Sequence, residues 1–518
     1  MKPIRLMSGF FTVGMWTLLS RLLGFVRDAM ILAFLGTGPL YEAYVVAFRL
    51  PNMFRRFFAE GAFNMAFVPM FSKKLEGGED ADEFASDAFA GLASLLIVIT
   101  MIAMATMPWL IFALASGFSG QEQFGLSVEF GRIAFPYILF ISLAALLSGM
   151  LNASGRFAAA AAAPVLLNIL LVGVMAFAAW RGGDVARALI WGIPFAGIAQ
   201  LLLVLYAARK AGFTIVLKLP RMTDDIRRLI KIAIPAALAG GVVQINLLVG
   251  QQVASYFDRA VGWLFAADRL YQLPLGVVGI AVGVVLLPDL SRRLKARDDE
   301  GARAGLSRAA EVSLALTIPS AVALVVIPYP LVAVLFERGA LTADDSVQIA
   351  LAVGIYGLGL PAFVLQKIMQ PVFFAREDTR RPFHYAVASM IINAVLAIGL
   401  ALIPFIGWTA PAIATSVAAW AMVGLLAYGA RSYGDVAKFD SRFHNRIWRI
   451  IAASLVMGLL LWVGNLGISQ ILGLRLWRVL ALFALVFLAI FTYFGVGQKI
   501  GAFKISEFKS AMTSRNQD

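Results

Sequence analysis

The chain has 518 residues, of which 61% are hydrophobic and 14% charged, with a mean hydropathy of +0.84 and a net charge of +14. Soluble domains carry about 25% charged residues, and here apolar runs of about 18 or more recur from end to end, so the composition describes a polytopic helical membrane protein. The alternation over about ten residues that marks a transmembrane β-barrel is absent, and the absence of cysteine excludes disulfides, thiol catalysis and cysteine-ligated metals. His384 and His444 are too few for a histidine metal site, so no metal and no cofactor is expected. The basic balance does not point to nucleic acid, because Lys and Arg flank the apolar spans as topology signals do.

Predicted spans run 8–34, 42–70, 88–116, 129–151, 158–180, 185–207, 229–256, 262–290, 309–335, 346–374, 383–404, 409–430, 447–468 and 475–498, fourteen in all. Lys2 and Arg5 precede the first, which carries arginines and no small-residue cleavage site, so it reads as a span and not a removed signal peptide. Several spans exceed the roughly 20 residues a bilayer needs, which implies tilt or kinks, and Pro51, Pro108, Pro136, Pro164, Pro194, Pro274 and Pro361 lie inside them. The connections 207–232 and 291–308 are rich in Lys and Arg, while those around 35–41, 117–128 and 405–408 have none. The positive-inside rule therefore places both termini in the cytoplasm.

The chain repeats itself. Val68-Pro69-Met70-Phe71-Ser72-Lys73-Lys74-Leu75 closes span two as Leu287-Pro288-Asp289-Leu290-Ser291-Arg292-Arg293-Leu294 closes span eight. Arg49-Leu50 is echoed by Arg269-Leu270, one residue out of register, and Pro136, Arg156 and Asn168 match Pro361, Arg381 and Asn393 at one constant offset. Six intervening spans give both copies the same orientation, a parallel repeat of the kind transporters use, with a substrate site expected between the halves. The expected organisation is a first lobe over 1–222, a second over 223–440, and an appended pair of spans with a C-terminal tail over 441–518.

Arg21, Arg27, Arg49, Arg55, Arg56 and Arg269 lie within these spans, and Asp28, Glu42, Glu60 and Asp268 share the same segments. A guanidinium at the bilayer centre costs about 2.5–3.5 kcal/mol on insertion scales, so a surplus of roughly two positive charges suggests an anionic substrate handled at membrane depth. Arg21 lies about 20 Å in from residue 8, past the middle of a core about 30 Å thick. Arg27 either faces the cavity or snorkels outward with Asp28 neutralising it. Arg55 and Arg56 point about 100° apart, so one is expected to line the cavity, Arg55 foremost, while Arg56 pairs with Glu60. Glu42 is either interfacial or the carboxylate that positions Arg27. Asp268 and Arg269 are either a self-neutralising pair or, by the repeat, the counterpart of Arg49 facing a central space. Lys367, beside Gln366, is a gate, a counter-ion or a structural hydrogen bond. Asn168 and Asn393 read as interhelical hydrogen bonds, and Trp109, Trp191, Trp263, Trp448 and Trp477 as interface anchors. The acidic run from Glu76 to Glu83 is a solvated loop, not a calcium site. No GxxxxGK[ST] phosphate loop occurs, so energy must come from an ion gradient, the membrane potential or the substrate's own gradient.

The runs Ser20-Arg21-Leu22-Leu23-Gly24-Phe25-Val26-Arg27-Asp28, Ala47-Phe48-Arg49-Leu50-Pro51-Asn52, Arg55-Arg56-Phe57-Phe58-Ala59-Glu60-Gly61-Ala62-Phe63 and Ala267-Asp268-Arg269-Leu270 resemble the MurJ (MviN) family, the lipid II flippases of bacterial peptidoglycan synthesis. The likeness runs over essentially the whole chain. It implies the MOP-superfamily fold, two six-helix lobes around a cationic cavity, with the last two helices forming a groove for the lipid tail. By motif position it implies that Arg21, Arg27, Arg55 and Arg269 bind substrate, with Glu42 standing where familiar members have Asp. Lipid II is an undecaprenyl pyrophosphate bearing a disaccharide pentapeptide, and guanidinium forks suit its phosphate oxygens. The resemblance further implies alternating access in the bacterial inner membrane. Its sodium site, present in some relatives, has no matched ligands here.

Rival readings are an exporter of another polyprenyl-linked saccharide or a drug on the same fold, a membrane enzyme acting on polyprenyl phosphates, and a scaffold of the cell-wall machinery. A drug exporter has no need of so many arginines. An enzyme needs a carboxylate–metal or base constellation that these short loops do not supply, and a scaffold gives no reason to bury the arginines.

Overall fold

The computed structural model describes residues 6–55, 62–468 and 475–503. Among these residues eighteen α-helices follow one another: α1 (Leu6–Leu35), α2 (Pro39–Arg55), α3 (Ala62–Gly77), α4 (Ala81–Ala105), α5 (Met107–Leu114), α6 (Glu122–Ala134), α7 (Tyr137–Ala153), α8 (Ala158–Trp180) and α9 (Val185–Lys210). Then come α10 (Asp224–Ala254), α11 (Ala260–Lys295), α12 (Asp299–Val326), α13 (Pro328–Leu335), α14 (Ala343–Phe374), α15 (Arg380–Ala401), α16 (Ala410–Ala430), α17 (Ser441–Ile468) and α18 (Arg475–Lys499). No strand occurs among the described residues. Ten of the described helical stretches are long and apolar enough to cross a membrane, matching predicted spans three to six and nine to fourteen. The other four predicted spans coincide with α1, α2 and α3, α10, and α11.

Sequence chemistry sets the boundaries. Asp184, Thr223, Asp298 and Thr342 each accept a backbone N–H three residues on, capping α9, α10, α12 and α14. Proline sets the breaks. α4 gives way to α5 just before Pro108, and α12 to α13 at Pro328, because a proline ring in the next turn removes a hydrogen bond and clashes with the turn before.

By packing, the chain divides into a unit of Met1–Gly262 with Arg338–Leu341 and a unit of Trp263–Glu337 with Thr342–Asp518. The duplication is visible in each unit taken alone. Lys74 pairs with Glu79 at 2.9 Å in the first, and its repeat counterpart Arg293 pairs with Asp298 at 3.0 Å in the second, the same five-residue reach into the start of the next helix. The long-then-short break of α4 and α5 recurs in α12 and α13.

α10, which the repeat assigns to the second lobe, packs with the first unit. Near one end, Ser116 exchanges hydrogen bonds with Gln252 and Tyr256, while the Gly117 N–H donates to Ser255 Oγ. Gly117 permits this contact, since a Cβ there would meet the Ser255 carbonyl. At the other end Asp225 pairs with Lys74 at 3.0 Å. The chain between α9 and α10 lies along α4, with Thr214 donating to Asp82, the Val216 N–H donating to Ser86, and Lys218 paired with Asp87 at 2.7 Å. Residues 338–341 join the first unit through the Ala340 N–H, which donates to the Ala33 carbonyl at 2.7 Å. Gly339 takes a φ of 63° there, with Ala33 backbone where a side chain would sit.

Within the second unit the last two helices are fastened at both ends. Glu311 of α12, buried, accepts from Arg446 and pairs with Arg442 of α17 at 3.2 and 3.3 Å. Glu337, just past α13, accepts from Arg478 of α18 at 3.0 Å, and the Glu337 carbonyl takes a second bond from the same guanidinium at 2.7 Å. Between these ends lies an apolar core that includes Ala315, Ile450, Met457, Leu461, Leu482 and Leu485. Glu311 and Arg478 are charges of predicted spans nine and fourteen that sequence reasoning passed over, because each sits close to a span end where charge is common.

Candidate substrate site

On α1, Ser20, Gly24 and Arg27 follow one another at four and three residues, so they share a face, and that face meets Asn168 of α8. Arg27 donates through Nε and Nη2 to Asp28 Oδ1 at 3.0 and 2.7 Å, and through Nη1 to Asn168 Oδ1 at 2.8 Å. Asn168 in turn donates from Nδ2 to the Ser20 carbonyl at 3.0 Å. Side-chain exposures of 13% and 12% put the Arg27–Asp28 pair largely out of solvent, where charge-assisted bonds are strongest. The arrangement fixes the guanidinium plane. Asn168 is thus more than an interhelical tie, because its carbonyl also holds the cation. Tyr44 of α2 and Tyr137 of α7 are the further groups that act on Arg27 electrostatically. Both belong to an aromatic row in which Phe48 lies 5.7 Å from Tyr44 and 6.4 Å from Tyr137.

Arg21 is exposed and stands about 120° round the helix from Arg27, so the two arginines of α1 do not share a face. Arg49 is half-buried on α2. Arg55 is the last residue of α2; its side chain, Arg56 and Glu60 lie outside the described residues.

Glu42 is wholly buried. Gln123 of α6 donates to its Oε2 at 3.4 Å, and the N–H groups of Val261 and Gly262 face its carboxylate. Those two N–H groups belong to the first turn of α11, where backbone donors have no partner within the helix. Glu42 therefore caps a neighbouring helix from the side. The described acceptors of Arg27 are Asp28 and Asn168.

In the second unit, Asp268 accepts hydrogen bonds from Gln272 and from the Tyr271 hydroxyl. The i+3 and i+4 spacing that brings these donors to it was legible, though unread, in the sequence. The Arg269 guanidinium lies over the Phe265 ring, 4.2 Å from its centroid, a cation–π contact one helical turn back. Tyr271 packs against Tyr356 at 4.9 Å and Phe363 at 5.4 Å. Lys367 is exposed on α14, while its neighbour Gln366 donates to the Ala419 carbonyl of α16 at 2.9 Å. Trp109, Trp191, Trp448 and Trp477 are exposed, as interface anchors are. Trp263 differs, because its N–H donates to Asp345 at 2.9 Å and its ring meets Trp408.

Among the described residues no group of three or more His, Cys, Asp or Glu side chains could hold a metal ion. The chemistry the described groups offer is recognition of anionic oxygens by guanidinium.

Comparison with known proteins gives a concordant result. Residues 31–488 match the family model described as lipid II flippase MurJ. The chain is 42% identical to the probable lipid II flippase MurJ of Rhizobium meliloti (strain 1021), over 98% of this chain and 96% of that one. It is 33% identical to the lipid II flippase MurJ of Burkholderia cenocepacia, over 98% and 99%. Among solved structures it is similar to a lipid II flippase MurJ in an inward closed conformation, with a TM-score of 0.78 and 25% identity over 93% of this chain and 97% of that one. It also shares its fold with an inward-facing MATE-family multidrug transporter of the MOP superfamily, with a TM-score of 0.69 and 14% identity over 80% and 95%.

Proposed function

Because the chain belongs to the lipid II flippase MurJ family, we propose that it carries lipid II from the inner to the outer leaflet of the bacterial cytoplasmic membrane by alternating access. It is a multi-pass membrane transporter, not an enzyme. The observation that carries the reading is the likeness to lipid II flippases over 98% of the chain.

In this reading Arg21, Arg27, Arg55 and Arg269 contact the headgroup, where planar guanidinium forks match pyrophosphate oxygens better than ammonium groups do. Asp28, Glu42, Arg49, Arg56, Glu60, Asp268 and Lys367 support or gate them. Both termini lie in the cytoplasm, and the lipid tail runs beside α17 and α18. A ligand that bound both conformations equally would shift nothing, so loading must favour one of them. A monovalent cation or the membrane potential supplies the bias, and the cell-wall synthesis machinery takes up the product.

The test is depletion of the protein in its own bacterium, followed by assay of lipid II exposed on the outer leaflet. Exposure falls on depletion and returns on re-expression; unchanged exposure would reject the function.

A further inference from the structure

Within the second unit, α11, α12 and α13 enclose a groove of about 460 Å³, inside the range of roughly 300–1,000 Å³ typical of small-ligand sites. Its floor is Leu270 and Leu324, both buried, and its rim is Leu273 and Leu316, 42% and 37% exposed. Leu331 of α13 adds to the lining, and the one hydroxyl there, Ser320 Oγ, is spent on the Leu316 carbonyl of its own helix. The wall is therefore apolar and asks nothing polar of an occupant.

The groove adjoins a cation. Leu270 follows Arg269 directly, and Leu273 stands one helical turn further on. Arg269 lies about 14 Å along α11 from Ala260, well inside a hydrocarbon core about 30 Å thick. A bulk phospholipid keeps its phosphate at the surface of the bilayer, so its chain has no reason to begin beside Arg269. A lipid whose anionic headgroup is drawn to mid-depth begins its chain there. We propose that this groove holds the first isoprene units of the substrate's polyprenyl chain while the pyrophosphate is near Arg269. The assignment rests on the lipid II reading and adds a proximal chain site distinct from the surface of α17 and α18.

The test uses the full-length chain in nanodiscs. A polyprenyl-pyrophosphate precursor with a diazirine in its first isoprene units is photolysed with the unaltered protein, and crosslinks are mapped. Labelling within 270–274 or 316–324, displaced by unlabelled precursor, is the expected result. Labelling elsewhere overturns the proposal, as does equal labelling of these residues by a diazirine phospholipid that precursor does not displace. In a second arm, Leu316→Trp fills the groove. It is expected to weaken the long-chain precursor roughly tenfold, the equivalent of about two buried methylenes, and to leave unaffected an analogue with the same headgroup whose pyrophosphate carries a methyl group in place of the polyprenyl chain. Unchanged affinity for the long chain, or equal loss for both ligands, overturns the groove. If neither ligand binds the unaltered protein, the lipid II reading itself fails.

Discussion

Arg27 of α1 and Asn168 of α8 are joined at 2.8 Å, and the same asparagine returns a bond to the Ser20 carbonyl at 3.0 Å. One amide thus ties two points of α1, two turns apart, to α8 and sets the plane of a guanidinium that Asp28 holds from the other side. A guanidinium held by two acceptors is oriented, and in the proposed function that orientation serves to present its remaining N–H groups to a phosphate.

Asn168→Leu therefore strands Arg27 without removing it. The expected cost is about 1–3 kcal/mol for the lost acceptor, with loss of growth rescue in depleted cells. Membrane-fraction abundance and rescue, measured together, check this; full rescue would show that Arg27 needs no such holder.

Glu42 is expected to act on α11 through its carboxylate oxygens. Glu42→Gln keeps an acceptor for the first turn of α11 and retains most thermal stability. Glu42→Ala leaves the Val261 and Gly262 N–H groups and the Gln123 amide facing an apolar gap, at about 1–3 kcal/mol. Thermal unfolding in detergent separates the two variants.

Glu311 carries two arginines of α17. Glu311→Ala leaves Arg442 and Arg446 without that carboxylate, and breaking a buried pair from one side typically costs about 3–5 kcal/mol. Part exposure of Arg442, at 34%, holds the expected loss to the lower end. Proteolysis between α16 and α17 should accelerate, while Glu311→Gln, which retains an acceptor, lies between the variant and the parent.

The loop before α15 predicts a pH response. The Tyr433 hydroxyl donates to Asp378 at 2.6 Å and, with the Arg381 N–H, holds the Asp378 carboxyl below its usual value. Burial and the same bond push Tyr433 up to about 12, so it stays a neutral donor. A depressed folded value means that the stabilisation is complete above the ordinary value of 3.8 and is lost as pH falls through the folded value. Tyr433→Phe removes the leading cause, so the acid-dependent part of the unfolding midpoint shrinks; an unaltered acid profile would contradict the assignment.

Much of this was legible in the sequence. Apolar runs placed the helices, because length and hydropathy dominate inside a bilayer, and Pro108 marked a break that the structure contains, whereas the break at Pro328 falls inside predicted span nine and went unread. The paired motifs around Lys74 and Arg293 gave the duplication. Within the site, the sequence exposed the charges, since arginine at membrane depth is costly and conspicuous. Their partners were less visible. Glu42 meets the first turn of a helix more than two hundred residues away, and Asn168 meets Arg27 across 141 residues. Neither pairing has a local period to betray it. α10 was assigned by repeat to the second lobe, but side chains at its two ends, Asp225 and Gln252 among them, tie it to the first unit.

The most direct measurement is equilibrium binding of the polyprenyl-pyrophosphate precursor to the purified full-length chain, compared with the uncharged polyprenol. The account predicts that Arg27→Ala, Arg55→Ala and Arg269→Ala each weaken the precursor by roughly tenfold or more, the worth of one charged hydrogen bond, while the polyprenol is unaffected. Unchanged precursor affinity in all three variants would contradict it.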